Sequence, residues 1–281
     1  MHYADRLQER IKKTSPVCVG LDPVLKQLPD GIEQSVKGVE VFCNGIIDAV
    51  SDVASCVKPQ LAYFEVLGSE GIAALERISA YAQKKGLIVI ADAKRGDIGS
   101  TASAYAEAYL GKHTPFDAVT VNPYLGSDGV QPFIELATKN EKGVYVLVKT
   151  SNESSGELQD LVTGDEAVHE HLAQLVESWG AGNLGKMNLS CLGAVVGATY
   201  PEELKYLRTL MPHIPLLIPG YGAQGGKAED VRHGFLPDGT GAIVNSSRAI
   251  LYASNGKDWQ EKAKSASEAM KNDLKKVLLK N

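Results

Sequence analysis

Leu87-Ile88-Val89-Ile90-Ala91-Asp92-Ala93-Lys94 begins as an unbroken apolar run and ends on a carboxylate and an ammonium. No apolar run in the chain is longer than the five residues of Leu87–Ala91, far short of the ~20 that cross a membrane. A run this short, without polar alternation, fits a strand buried on both faces, as in a parallel sheet. Working outward, the same unit recurs as Pro16–Leu21, Ser55–Lys58, Ala118–Val121, Val144–Val148, Ala194–Val196, Leu216–Ile218 and Ala242–Val244. The starts of these eight runs lie on average about 32 residues apart, the size of one βα unit.

The segments between them carry helical apolar faces. Val41, Phe42, Ile46, Ile47 and Val50 form one; Ile72, Leu75, Ile78 and Ala82 form another; Val130, Phe133, Ile134 and Ala137 a third. Val168, Leu172, Leu175, Val176 and Trp179 repeat the spacing, as do Leu204, Leu207 and Met211, and finally Leu274, Val277 and Leu278. Eight alternating units predict an α/β fold, a single (β/α)8 TIM barrel forming one catalytic domain over residues 1–281. A doubly wound open sheet is the other arrangement such units can take.

The composition suits a globular chain of this kind. The chain has 281 residues, 44% hydrophobic and 22% charged, with a net charge of −5. Such a balance excludes a mostly disordered chain and a global basic field for nucleic acid. Cys18, Cys43, Cys56 and Cys191 are scattered with no CxxC pair, which predicts reduced thiols and a cytoplasmic setting. Asp5 and Glu9 interrupt the apolar face of Leu7 and Ile11, so neither a signal nor a transit peptide is expected.

Polar residues gather where the strands end. Asp22 follows the first, Lys58 ends the second before Pro59, Asp92 and Lys94 end the third, Asn122 the fourth, and Lys149-Thr150-Ser151 the fifth. In a barrel these ends meet on one rim, where active sites are built. Asp92 and Lys94 are two apart and share a face. Asp97 lies three residues past Lys94, beyond the strand, and local geometry does not place it beside them. The plainer reading is a salt-bridged strand end followed by a helix capped by Ser100 or Thr101.

A second concentration follows the seventh and eighth strands. Gln224-Gly225-Gly226 and Asn245-Ser246-Ser247-Arg248 occupy the loops where barrels commonly bind phosphate. Glycines let backbone N–H groups approach an anion, and an arginine offers a planar fork. A glycine turn beside a surface arginine is the alternative. Ala223–Lys227 could serve as a lid over bound phosphate. Asn152–Gly164, acidic and rich in serine, reads as a surface loop or as a flap over the site.

The string Asp92-Ala93-Lys94-Arg95-Gly96-Asp97-Ile98-Gly99-Ser100-Thr101 closely resembles the signature of orotidine 5′-phosphate decarboxylases. Gly20-Leu21-Asp22-Pro23, Val57-Lys58-Pro59-Gln60, the Pro219-Gly220-Tyr221-Gly222-Ala223-Gln224-Gly225-Gly226 segment and Asn245-Ser246-Ser247-Arg248 match the same family in order. With Val121-Asn122-Pro123-Tyr124-Leu125-Gly126, the Lys-Pro-Gln and Asn-Ser-Ser-Arg forms resemble its longer bacterial branch, type 2.

The resemblance implies decarboxylation of orotidine 5′-monophosphate to UMP, the last step of pyrimidine nucleotide synthesis, with no metal or cofactor. It assigns Lys94 to C6 of the pyrimidine as proton donor and Asp92 to the departing carboxylate. Lys58 and Asp97 complete an alternating ladder of charge. Asp97, Ile98 and Thr101 are implied to serve the neighbouring subunit of a homodimer. Asp22 and Lys58 are placed at the ribose, and Ser151 and Pro219 at the base, with Thr150 an alternative to Ser151. Gly220, Gln224, Gly225, Gly226, Asn245 and Arg248 fall on the phosphate side. Two other readings stay open: a metal-dependent phosphosugar synthase or aldolase with the same Asp-x-Lys pair, and a noncatalytic pyrimidine-nucleotide-binding protein.

Overall fold

The computed structural model describes residues 1–222 and 226–279. Eight parallel strands close into a barrel: β1 (Val17–Leu21), β2 (Cys56–Pro59), β3 (Ile88–Arg95), β4 (Ala118–Val121), β5 (Gly143–Lys149), β6 (Leu192–Val196), β7 (Leu216–Ile218) and β8 (Ala242–Ser246). Each pairs with its neighbours in sequence, and β8 returns to β1 with Val17 opposite Val244. The closure excludes the open sheet. All eight sequence-predicted strands are present, with ends shifted by a few residues at most.

Long helices surround the barrel: α2 (Val36–Val50), α3 (Gly68–Lys84), α4 (Gly99–Leu110), α5 (Ser127–Asn140), α6 (Val168–Gly180), α7 (Pro201–Leu210) and α8 (Trp259–Leu278), preceded by α1 (Tyr3–Lys13). Their local causes are readable. The Ser35 hydroxyl accepts from Gly38 N–H to cap α2. Pro201 begins α7, where its missing N–H costs nothing. Among the described residues no helix is long and apolar enough to cross a membrane.

Two apolar layers result. The outer one lies between strands and helices and includes Val57, Val89, Ala91, Val119, Val146 and Phe42. The inner one fills the barrel with Cys18, Cys56, Ile88, Ile90, Ala118, Tyr145, Leu217 and Ile243. Tyr3 and Leu7 of α1 join this inner layer and close the N-terminal end of the barrel. Gly143 makes that possible, since a Cβ there would lie 2.4 Å from the Tyr3 ring. Only the opposite end remains available for a ligand.

Three expectations need correction. Val41 is 51% exposed, because the buried stripe of α2 runs through Val39, Phe42, Cys43, Ile46, Ile47 and Val50. Ser100 and Thr101 lie inside α4 rather than capping it. The N-cap position is Ile98, without a side-chain cap, and the Asp97 Oδ1 accepts from Ile98 N–H at 2.8 Å. The Asn152–Gly164 segment is not simply a loop. It holds a 3-10 turn (Glu153–Ser155), a helical turn (Gly156–Gln159) and the first strand of a hairpin pairing Val162–Thr163 with Glu166–Ala167.

Candidate active site

Side-chain alternation builds the site directly from the barrel interior. Cys56, Ile90, Ala118 and Ile243 point into the barrel. Two residues further along the same strands stand Lys58, Asp92, Thr120 and Asn245, and all four line one cavity of about 680 Å³ at the C-terminal end. Leu147, Val195 and Leu217 form its apolar floor, and Asp22, Tyr63, Thr150, Ser151, Pro219, Gly220, Tyr221 and Arg248 its walls and mouth.

The charged centre is compact. Lys58 Nζ donates to Asp92 Oδ2 at 2.6 Å, and Lys94 Nζ donates to Asp92 Oδ1 at 2.5 Å. Thr120 Oγ1 donates to the same Oδ1 at 3.0 Å. Lys58 and Asp92 are buried, whereas the Lys94 side chain is 45% exposed and opens toward the cavity. Burial alone would pull the Lys58 ammonium down. The Asp92 and Asp22 carboxylates outweigh it and hold the group above the usual lysine range. Burial would likewise raise Asp92, but the two ammonium groups hold it well below the usual carboxylate range.

Asp22 extends this pattern. Asp22 lines the cavity, and its Oδ1 is buried without a hydrogen-bond partner among the described residues, an acceptor with its capacity unused. Tyr252 fixes the loop that carries it, accepting from Val24 N–H at 2.8 Å and donating to the Asp22 carbonyl at 3.1 Å. Neither Tyr252 nor Thr120 was singled out from sequence. Thr120 had one signal available, as the only polar residue of β4, two steps above inward-facing Ala118.

At the opposite wall, Arg248 is exposed, and its side chain makes no hydrogen bond or ion pair among the described residues. The strand-seven loop is cinched at its base: Gly226 N–H donates to the Gly220 carbonyl at 3.1 Å and Gly222 N–H to the Gly226 carbonyl at 2.9 Å. A Cβ on Gly226 would lie 2.8 Å from the Gly220 oxygen, so the approach requires glycine. Gln224 and Gly225, expected at the phosphate, and Ala223 of the expected lid lie outside the described residues.

Thr150 and Ser151 both line the cavity, but only one is occupied. Thr150 Oγ1 donates to Asn152 Oδ1 and accepts from Gln159 Nε2 at 2.8 Å, leaving Ser151 as the hydroxyl without a partner among the described residues.

Several expected rim residues are elsewhere. Asp97, Ile98 and Thr101 do not line the cavity of their own chain, and Ile98 is 54% exposed. Asn122 turns outward, its Oδ1 accepting from Tyr124 N–H. Lys149 is fully buried yet faces away from the cavity, paired with Asp160 and, at 3.4 Å, with Glu203, and 4.8 Å from the Tyr200 ring centroid. Asp160, His169 and Glu203 are close enough to hold a cation, but the Lys149 ammonium already supplies the positive charge there.

A sequence model of the orotidine 5′-phosphate decarboxylase / HUMPS family matches residues 15–263. The orotidine 5′-phosphate decarboxylase of Rhodopirellula baltica is 45% identical over a 300-residue alignment covering 98% of this chain and 99% of that one. That of Clostridium perfringens is 40% identical, covering 99% of each. The structure of Leishmania donovani OMP decarboxylase superposes with a TM-score of 0.84 at 33% identity, covering 99% of this chain and all of that one. With the Lys58–Asp92–Lys94 cluster at the carboxyl end of a closed barrel, and relatives aligned from end to end, the chain belongs to the orotidine 5′-phosphate decarboxylase / HUMPS family.

Proposed function

We propose that this chain, acting as one catalytic unit in the cytoplasm, decarboxylates orotidine 5′-monophosphate to UMP and CO2 through the cavity described above. The observation that carries the reading is the Asp92 carboxylate held between two ammonium groups that both line the cavity, Lys58 nearly buried and Lys94 the more open to the ligand space. The bond from C6 to the carboxylate carbon breaks, CO2 leaves, and the electron pair stays on C6. Lys94 stabilises that carbanion and then protonates it; water restores the ammonium. A unit charge pair 4 Å apart is worth about 1 kcal/mol in water and about 4 at an effective dielectric of 20. Charges fixed by neighbours also need little reorganisation during reaction.

Asp22, with its unpartnered buried oxygen, and Lys58 take the ribose hydroxyls. Ser151 and Pro219 take the base. Arg248, Asn245 and the Gly220–Gly226 loop, including Gln224 and Gly225, take the phosphate. Such remote contacts can supply binding energy for closure around the base. Release of CO2 from orotidine 5′-monophosphate by the purified protein, undiminished in excess chelator, is the expected result. Activity abolished by chelator and restored by a divalent metal would favour the phosphosugar alternative, and no CO2 release at all would favour a noncatalytic binder.

The pairing of sites across a homodimer belongs to the same reading. Asp97 leaves the strand away from its own cavity, beside exposed Ile98, Tyr124 and Leu125, an apolar surface suited to a second copy. Thr101, also exposed, belongs to the same proposed interface. Lys94→Ala and Asp97→Ala proteins, each nearly inactive, would be unfolded and refolded together. If Asp97 serves the neighbouring site, random assortment regenerates about a quarter of wild-type activity, since half the dimers are mixed and each holds one intact site. Verified mixed dimers with no regained activity would refute the sharing.

A further inference from the structure

The ladder between β3 and β4 breaks beside the charged centre. Ala91 pairs with Val119 and Arg95 with Val121, so Asp92, Ala93 and Lys94 together face Thr120 alone. Two additional residues on one strand leave backbone groups without ladder partners. Lys94 also adopts φ +47°, a left-handed conformation that residues with a Cβ rarely keep unless the surroundings impose it. The Thr120 hydroxyl repairs this break. It accepts from Lys94 N–H at 2.9 Å and donates to Asp92 Oδ1 at 3.0 Å. Thr120 is 1% exposed, so water does not readily replace it.

We infer that Thr120 is a positioning residue for the decarboxylation: one hydroxyl fixes the left-handed backbone of Lys94 and the rotation of the Asp92 carboxylate together. The inference rests on the role of Lys94 proposed above. Asp92 Oδ1 takes two donors, the Lys94 ammonium and the Thr120 hydroxyl, while Oδ2 takes Lys58. When Lys94 delivers its proton, the Thr120 bond still holds Oδ1 in place, and the amine returns to the same position. Arg95 braces the other side of the bulge, with Nη1 donating to the Ala93 carbonyl and Nε to the Tyr109 hydroxyl, each at 3.2 Å. Neither bond constrains Asp92, which leaves the coupling of carboxylate and backbone to Thr120.

Thr120→Ser, Thr120→Ala and Thr120→Val separate this role from packing. Serine keeps the hydroxyl, valine keeps the volume, and alanine keeps neither. The expected kcat is within threefold of wild type for serine and at least tenfold lower for alanine and valine, as for loss of a hydrogen bond to a charged group. Affinity for UMP should stay within threefold in every folded variant, because the product makes no demand on proton transfer. If the valine protein does not fold, serine against alanine decides. A valine protein as active as the serine one, an alanine protein within threefold of wild type, or a serine protein as impaired as alanine overturns the inference. A wild-type protein that releases no CO2 defeats the functional reading instead.

Discussion

The third and fifth strands both carry a lysine at a break in the ladder near their carboxyl ends, Lys94 one residue before the end of β3 and Lys149 at the end of β5, and they put it to opposite uses. In β3 the ladder gains two residues against β4. An even insertion preserves alternation, so Ile88, Ile90, Asp92 and Lys94 all face inward, and Arg95 faces outward with its partner Val121. In β5 the ladder gains one residue against β6: Leu147 pairs with Val195 and Lys149 with Val196. An odd insertion reverses alternation. Leu147 still lines the cavity, but Lys149 shares the outward direction of Val196 and meets Asp160, Glu203 and Tyr200 behind the wall. The number of inserted residues, odd or even, therefore decides which lysine reaches a ligand and which becomes part of the frame.

The first way to break this comparison is Lys94→Ala. Removing one donor to a developing anion costs roughly 100–1,000-fold in other enzymes, and here the proton source is lost as well. The variant should lose at least that much in kcat while still binding UMP. If it kept a tenth of wild-type kcat, an inward-facing lysine at the end of β3 would not be the acid.

Lys149→Met should behave differently. Its ammonium is fully buried, but Asp160 and Glu203 are 43% and 34% exposed, so water can take over part of their solvation. A loss of about 1–3 kcal/mol of stability follows, seen as a melting point lowered by several degrees. Ser151 and Asn152 also line the cavity, and the segment that carries them is tied down by Gln159 to Thr150 and by His169 Nδ1 donating to the Gln159 carbonyl at 2.7 Å. Activity should therefore fall, but by less than tenfold. A folded Lys149→Met protein as inactive as Lys94→Ala would erase the distinction between the two strand ends.

Much of this was legible in the sequence, and the residues show why. Short apolar runs separated by helical segments exposed all eight strands because burial on both faces leaves no room for polar alternation. Asp92 and Lys94 were placed together correctly because an even insertion leaves the two-residue rule intact. Lys149 was grouped with the rim residues because nothing in Val144-Tyr145-Val146-Leu147-Val148-Lys149 marks a single-residue bulge, whose cause lies in pairing with β6. Thr120 was passed over because a β-branched residue in a strand is ordinary; its importance depends on a break in the neighbouring strand. The helix start at Gly99 has no usual sequence signal, because the N-cap position is taken by Ile98, whose side chain cannot cap, and the nearby Asp97 carboxylate accepts from the Ile98 N–H instead.

A third buried lysine sharpens the comparison at its smallest scale. Lys142 stands just before β5 and donates to the Gly111 and Thr114 carbonyls at 2.8 and 3.2 Å and to Thr114 Oγ1 at 2.7 Å. These acceptors are neutral, unlike the carboxylates around Lys58, so burial dominates and lowers the Lys142 ammonium to about 8. The two lysines therefore contribute to stability with opposite signs. For Lys58 the folded value lies above the unfolded one, and its contribution is full below pH 10.5 and fades above it. For Lys142 the folded value lies below 10.5, so the unfolded chain binds more protons between about pH 8 and 10.5, and stability rises with pH across that window. Buried thiols oppose this in the whole protein: burial pushes Cys18, Cys43 and Cys191 up, and their contribution fades as pH passes the unfolded thiol value. The difference between wild type and Lys142→Met cancels the thiols, which both proteins share. That difference, measured by denaturant unfolding at pH 7 and pH 9.5, should shift in favour of wild type at the higher pH. An unchanged difference would mean that Lys142 does not titrate in this window, and that neutral carbonyls hold its charge as firmly as Asp92 holds that of Lys58.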